Sequence, residues 1–144
     1  MEITKAQQKK LKELGKKHGI KLAMIFGSRA KGNPKKDSDL DIAFISSKDE
    51  KKYSYYYGEL FGDLGTIFKG YDIDLLNLKD VDYFVKYEVA RNSRLIIGEP
   101  LEYCEFRARA YRMYKDSFDL RRLNDILLEK KHRLLKEKIQ CAGI

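Results

Sequence analysis

Short apolar runs that alternate with segments of helical period most constrain how this chain can fold. Lys21–Phe26, Leu40–Ile45 and Tyr71–Leu78 are six to eight residues long, a length that suits buried strands better than helices. Arg94–Ile97 predicts a short last strand. The segments around these runs place apolar residues three and four apart, as in a helix with one buried face. The order predicted is helix, strand, helix, strand, helix, strand, helix, strand, helix, which indicates a sheet flanked by helices.

The ends of the predicted helices carry sequence signals of their own. A capping-box pattern pairs a threonine with a glutamine three residues later, and glycine commonly ends a helix. The first predicted helix is capped by Thr4 and Gln7 and ends at Gly19, and another over Tyr53–Phe68 ends at Gly70. A further helix is capped by Asp80 and runs to about Ala90. The C-terminal helix is predicted to break near Phe118. Residues 27–39 leave room for a turn and a short helix only.

Length and composition narrow the class of protein. A domain of 144 residues buries roughly two thirds of its unfolded surface and needs no disulfide or structural metal. We therefore expect Cys104 and Cys141 to be ordinary thiols. No apolar run reaches the roughly 20 residues that span a bilayer, and the lysine-rich start lacks the apolar stretch of a signal peptide. These features predict a single domain over residues 1–144, located in the cytoplasm and without a membrane partner.

The net charge of +8 is unevenly distributed. Residues 1–26 carry 7 basic and 2 acidic side chains, residues 27–104 carry 12 and 14, and residues 105–144 carry 11 and 6. Basic ends suit a polyanion or an acidic protein face, but lysine-rich helices are also ordinary solvated surfaces. Because the middle is slightly acidic, direct nucleic-acid binding is disfavoured. We expect the positive charge to serve phosphate binding in the middle segment and partner docking along the terminal helices.

The stretch from Leu22 to Ile45 contains the first candidate site. Gly27 and Ser28 directly follow a strand and precede a predicted helix, where backbone N–H groups and the helix dipole can bind phosphate. Ser28 adds a hydroxyl donor. The nearby cations are Arg29, Lys31, Lys35 and Lys36. A glycine turn without a ligand is the competing interpretation, and the segment lacks the Gly-Lys-Ser/Thr of a Walker A loop.

Two pairs of carboxylates form the second candidate feature. Asp39 and Asp41 are two residues apart at the start of a strand, so strand alternation puts both on one face. Asp72 and Asp74 interrupt the apolar run of a predicted core strand. Burying a charge there costs free energy unless a ligand or an opposite charge compensates it. If the two strands are neighbours, Asp39, Asp41 and Asp74 converge and can hold two divalent ions. Asp74 is preferred over Asp72 because Ile73 and Leu75 flank it.

These residues together resemble a known family. Gly27, Ser28, Ala30 and Gly32, with ten residues between Ser28 and the run Asp39, Leu40 and Asp41, resemble the signature of the DNA polymerase beta-like nucleotidyltransferases. The small size and the pattern GSRAKG…SDLD resemble in particular the minimal nucleotidyltransferases, the MntA-like antitoxins. IDLLNL and ARNSRLIIGE extend the resemblance over about residues 20–100. It implies an α/β (α+β) fold, with a mixed sheet of about four strands flanked by helices and a helical extension over about residues 101–140.

The resemblance also implies an activity, which is transfer of AMP from ATP to an acceptor hydroxyl. Gly27, Ser28, Arg29 and Lys31 would bind the triphosphate, with Lys31 a departure where a related pattern often has arginine. Two Mg²⁺ ions, or Mn²⁺, would be held by Asp39, Asp41 and Asp74, and Asp74 would also accept the hydroxyl proton. Such chemistry needs no histidine or cysteine nucleophile. We accordingly expect only surface or cap roles for His18 and His132.

The same family implies the acceptor. Its minimal members pair with a HEPN-type toxin and add AMP to a toxin tyrosine, as the antitoxin of a type VII pair, which points to a hetero-oligomer. This chain is not itself the toxin, since no arginine is followed by histidine four to six residues later. The run Tyr55–Tyr57 is explained more simply by helix packing than by self-modification. Two alternatives remain, an aminoglycoside-type nucleotidyltransferase and a non-catalytic module that binds RNA or a toxin.

Overall fold

The computed structural model describes residues 1–32, 38–47 and 53–143, without the side chains of residues 53–55. Its elements in chain order are α1 (Lys5–His18), β1 (Ile20–Phe26), β2 (Leu40–Ser46), α2 (Tyr53–Ile67), β3 (Ile73–Asn77), α3 (Tyr83–Arg91), β4 (Arg94–Ile97), α4 (Pro100–Asp116) and α5 (Phe118–Cys141). The chain divides into two compact units, Met1–Tyr111 and Arg112–Ile144. The single-domain expectation stays a prediction, and each unit is described separately.

The described strands of the first unit form one four-stranded mixed sheet. Its order is β3-β2-β1-β4. Strand β1 runs antiparallel to both β2 and β4, whereas β2 and β3 run parallel. A parallel pair needs a crossover connection, and α2 lies within the one between β2 and β3. The sheet confirms the predicted mixed architecture.

Strand alternation divides the core of this unit into two clusters, one on each face of the sheet. On one face, α1 and α2 pack against alternate strand residues, among them Ile25, Ile42 and Leu75. On the other face, Met24 and Ala43 pack with Val89 of α3 and with partly buried side chains of α4. Asp41 and Asp74, by the same alternation, share the face of Ala43 rather than that of Ile42.

Several sequence-based expectations need correction. The cap of α3 is Asp82, whose side chain accepts a hydrogen bond from the Val85 amide, and not Asp80. Residues 27–32 form turns rather than the short helix expected between β1 and β2, and residues 33–37 lie outside the described residues. The C-terminal helix is broken at Ser117 into α4 and α5, as predicted. The capping box of Thr4 and Gln7 is also confirmed.

His18 has a structural position that the sequence did not suggest. Its side chain is buried, with 3% of the residue exposed, and its Nε2 lies 2.7 Å from Oδ2 of Asp63 in α2. The expectation of a surface role for His18 is therefore wrong. Hydrogen bonds from His18 and Lys17 hold the pKa of Asp63 below its usual value. This contact joins α1 to α2 on the sheet face opposite the carboxylates, so His18 takes no part in their chemistry.

The second unit consists mainly of α5. No residue of α5, all of whose positions are described, is buried, and its apolar side chains are exposed along its length. Arg121 stacks 4.1 Å from the ring centroid of Tyr114 and donates from Nη2 to the Tyr114 carbonyl at 3.3 Å. Cys104 and Cys141 are both free and exposed, as expected. Among the described helices, none is long and apolar enough to cross a membrane.

The corrected cap of α3 leads to a prediction about stability. Asp82→Ala removes the oxygen that accepts from the Val85 amide at 3.0 Å, and loss of such a cap costs about 1 kcal/mol. Asp82→Ser keeps an oxygen acceptor and should restore most of that loss. Urea unfolding of the two variants measures the difference, and equal stabilities would show that Asp82 does not cap α3.

Candidate active site

The parallel register of β2 and β3 places two carboxylates side by side. Asp41 of β2 is the register partner of Asp74 of β3, between the apolar pairs Leu40 with Ile73 and Ile42 with Leu75. The neighbouring pairs face the buried core, so the two aspartates face the other side of the sheet together. Asp41 is half-buried and Asp74 is exposed. The sequence alone did not determine this pairing, because it needs the parallel neighbour relation of the two strands.

Asp39 contributes a third charge at the entrance of β2. It directly precedes the strand and is exposed. Burial, the neighbouring Asp74 carboxylate and the Asp39 carboxylate, in that order, raise the pKa of Asp41 above its usual value. Asp39 and Asp74 therefore both act on Asp41 through their charge.

This arrangement fits a divalent cation. Carboxylate oxygens are the hard ligands that Mg²⁺ and Mn²⁺ take. A cation would offset both the burial and the neighbouring negative charges that raise the pKa of Asp41. Within the described ranges, no three acidic, histidine or cysteine side chains already form a group able to hold a metal. The structure thus provides Asp41 and Asp74 as an adjacent pair, with Asp39 close enough to act on Asp41 electrostatically.

The sequence predicts Asp74 as a charge in a core strand, and this expectation is wrong. Among the described strands, β3 lies at the edge of the sheet, and the Asp74 side chain is exposed. Its distinguishing feature is its register with Asp41. Asp72 lies just before β3, where its backbone oxygen accepts from the Leu40 amide at 2.7 Å.

Gly27 lies against the carboxylate of Asp41. It follows Phe26, the register partner of Asp41, and has φ +73°, in the left-handed region. A Cβ at Gly27 would collide with Oδ2 of Asp41. Glycine suits this position for two reasons, its positive φ and the close approach of its backbone to the acid, whose carboxylate would have to move to admit a Cβ. The predicted phosphate-binding turn and the predicted metal ligands accordingly lie next to each other.

The other members of the predicted phosphate site have different surroundings. Ser28 is half-buried and Lys31 is exposed, and the Lys31 amide donates to the Gly27 carbonyl at 3.2 Å. Since residues 27–32 form turns, a helix dipole within this segment does not contribute. Lys35 and Lys36 lie outside the described residues.

Arg29 makes contacts that sequence reasoning missed. Its Nε and Nη2 donate to the Ser38 carbonyl at 3.1 and 2.6 Å. Its guanidinium carbon lies 4.6 Å from the ring centroid of Tyr71. The contact with Ser38 could not be predicted from the sequence, because it uses a backbone carbonyl, which every residue has. Tyr71, an aromatic residue next to Asp72 and Asp74, could have indicated a partner for Arg29.

Comparison with known proteins identifies the family. A family model described as "Polymerase beta, Nucleotidyltransferase" matches residues 9–102, which include all four strands and every predicted site residue. The chain belongs to this family. The resemblance inferred from the GSRAKG…SDLD pattern is thereby confirmed.

Individual relatives agree with this assignment. The Protein adenylyltransferase MntA of Aphanizomenon flos-aquae is 29% identical over 136 residues, which cover 88% of each chain. The crystal structure of a toxin-antitoxin with AMP-PNP matches with a TM-score of 0.65 and 21% identity over 83% of this chain and 98% of that one. A tri-AMPylated Shewanella oneidensis HEPN toxin in complex with MNT antitoxin matches with a TM-score of 0.59 and 19% identity, over 85% and 97%. The structural matches confirm the predicted fold class.

The electrostatics of Asp41 lead to a prediction about stability. When the pKa of a carboxyl is higher in the folded state than in the unfolded state, the protein loses stability as the pH rises. The loss begins near the ordinary pKa and is complete above the raised pKa. Without divalent ions, Asp41→Asn should therefore be more stable than the unchanged chain at pH 7, by up to about 1 kcal/mol because solvent screens a half-exposed charge. Thermal unfolding in a chelator between pH 3 and 8 measures this difference.

The control is Asp72→Asn, which removes an exposed carboxylate at the same edge and should change stability less than Asp41→Asn does. A less stable Asp41→Asn protein at pH 7 would contradict the unfavourable burial and repulsion described for the Asp41 carboxylate.

The contact between Gly27 and Asp41 leads to a second prediction. Gly27→Ala adds both backbone strain and a collision with Oδ2, whereas Gly32→Ala adds strain alone, since Gly32 has φ +76° and open space around its Cβ position. Gly32→Ala should cost about 1 kcal/mol in unfolding free energy and Gly27→Ala measurably more. Denaturant unfolding compares them, and equal losses would argue against a close contact with Asp41.

Proposed function

We propose that this protein transfers AMP from ATP to a hydroxyl of a protein acceptor. More specifically, the acceptor is a tyrosine of a cognate HEPN-type toxin, and the chain is the antitoxin of a type VII pair acting in the cytoplasm. The observation that carries the proposal is the pairing of Asp41 with Asp74 beside the Gly27 turn, in a chain of the nucleotidyltransferase family. The relatives named as a protein adenylyltransferase and as toxin-antitoxin complexes support the choice of acceptor.

All of the predicted site residues except Arg29 keep their predicted role in this proposal. The backbone of Gly27, the hydroxyl of Ser28 and the ammonium of Lys31 would bind the triphosphate. Asp39, Asp41 and Asp74 would hold two Mg²⁺ ions, or Mn²⁺, and the chemistry supplied there is charge neutralisation and polarisation of phosphate oxygens. Arg29, predicted with the phosphate ligands, directs two of its N–H groups to the Ser38 carbonyl instead.

The transfer itself needs alignment more than covalent chemistry by the protein. The acceptor oxygen bonds to the α-phosphorus while the bond from that phosphorus to the bridging oxygen breaks, and pyrophosphate leaves. Asp74, exposed on the carboxylate face, would accept the proton of the acceptor hydroxyl. Neither histidine is required, since His18 is paired with Asp63 on the other face of the sheet and His132 is exposed.

The test follows labelled AMP. The protein is incubated with Mg²⁺, ATP labelled at the α-phosphate and the product of the adjacent gene, and the label and mass of that acceptor protein are measured. Asp41→Asn and Asp74→Asn should each lower the initial rate at least about 100-fold, since each removes a charge that acts at the reacting phosphate.

The matched control is Asp72→Asn, which removes a carboxylate two residues from Asp74 and should keep most of the activity. An Asp41→Asn protein that transfers AMP at the unchanged rate would overturn the proposal. Label on an aminoglycoside but not on the protein would support the small-molecule alternative. Strongly salt-dependent RNA binding without transfer would support the binding module.

A further inference from the structure

Arg29 connects the three segments that carry the proposed site. It lies in the turn after β1, hydrogen-bonds to the segment entering β2, and stacks on the residue that precedes Asp72 and β3. The two hydrogen bonds from Nε and Nη2 converge on one acceptor, the Ser38 carbonyl. The flat guanidinium lies at 4.6 Å from the Tyr71 ring, within the range of a cation–π contact.

The position of these contacts determines what they can do. The Leu40 amide donates to the Asp72 carbonyl at 2.7 Å, at the start of the paired part of β2 and β3. Tyr71 directly precedes Asp72, and Ser38 lies two residues before Leu40. Arg29 contacts both Tyr71 and Ser38. The backbone of Asp39 is therefore held on both sides, by the Arg29 contact at Ser38 and by the backbone bond at Leu40.

From this geometry we infer that Arg29 is a positioning residue, which fixes Asp39 and the entrance of β2 relative to β3, rather than a ligand of the triphosphate. The inference rests on the proposed function, because it assigns Arg29 a role in orienting the carboxylates of that site. It differs from the sequence-based assignment, in which Arg29 and Lys31 both bind phosphate.

The side-chain chemistry distinguishes the two roles. An arginine presents two parallel N–H groups and a flat face, whereas lysine presents a single compact charge on a flexible stem. Arg29→Lys thus keeps the positive charge of the turn but loses the two-point contact with Ser38 and the stacking on Tyr71. A phosphate ligand would tolerate this exchange in part, and a positioning residue would not.

The experiment compares Arg29→Lys with Lys31→Gln in the AMP-transfer assay. For Arg29→Lys we expect kcat to fall about tenfold or more, since small displacements of site groups have effects of this size. Its KM for ATP should stay within about twofold of the unchanged chain. Lys31→Gln should show the opposite pattern, a raised KM for ATP with kcat retained.

Two further readouts do not depend on activity. Mn²⁺ binding in the presence of a non-hydrolysable ATP analogue, measured by electron paramagnetic resonance, should weaken in Arg29→Lys. Amide hydrogen exchange at Leu40 should become faster in the same variant, since the contact that holds the neighbouring residues is lost. Lys31→Gln should leave exchange at Leu40 unchanged.

Tyr71 provides the second pair of variants. Tyr71→Phe keeps the ring under Arg29 and should behave like the unchanged chain, whereas Tyr71→Leu removes the ring and should shift kcat and Leu40 exchange in the same direction as Arg29→Lys. Thermal unfolding measures whether each variant folds. If Arg29→Lys does not fold, Tyr71→Leu provides the test.

The outcomes separate this inference from the proposed function. Arg29→Lys with unchanged kcat, Mn²⁺ binding and Leu40 exchange overturns the inference while AMP transfer still stands. A raised KM for ATP with unchanged kcat would make Arg29 a phosphate ligand and also overturn it. Failure of the proposed function is reported by a different variant, an Asp41→Asn protein that retains full transfer.

Discussion

The side-by-side placement of Asp41 and Asp74 is the constraint on which the rest of the site depends. The register of two parallel strands holds the two carboxylates next to each other, and Asp39 adds a third charge at the strand entrance. Such an arrangement persists only where other contacts determine the strand positions. Those contacts are on the opposite face, where Leu40 and Ile42 are fully buried and Leu75 nearly so.

The two faces of β2 and β3 therefore have separate roles. One face supplies the apolar burial that fixes the register, and the other presents charges whose repulsion is left for a ligand to relieve. Gly27 belongs to the same arrangement, because a side chain there would occupy the space taken by the Asp41 carboxylate. A backbone turn that lies against adjacent acids suits a substrate that brings phosphates and divalent cations together.

The spacing of apolar residues predicted most of the fold, because the buried face of each helix or strand determines where apolar residues recur. Strands β1, β2 and β4 and helix α1 follow the sequence pattern closely, and the Thr4 and Gln7 cap was readable from two side chains. The errors have local causes. Asp80 and Asp82 are equally suited to cap a helix, and only the backbone path selects Asp82. His18 is polar, and its burial depends on Asp63, which is 45 residues away in the chain.

The sequence predicted which residue types form the site but not which role each residue has. Arg29 and Lys31 carry the same charge in the same turn, and both were assigned to phosphate on that ground. The structure separates them, because Arg29 directs its planar donors to a backbone carbonyl and an aromatic ring, whereas the Lys31 side chain is exposed. Charge near a phosphate site thus does not identify a phosphate ligand. What separates the two cations is whether the protein's own groups fix the side chain in place, and only the folded structure shows this.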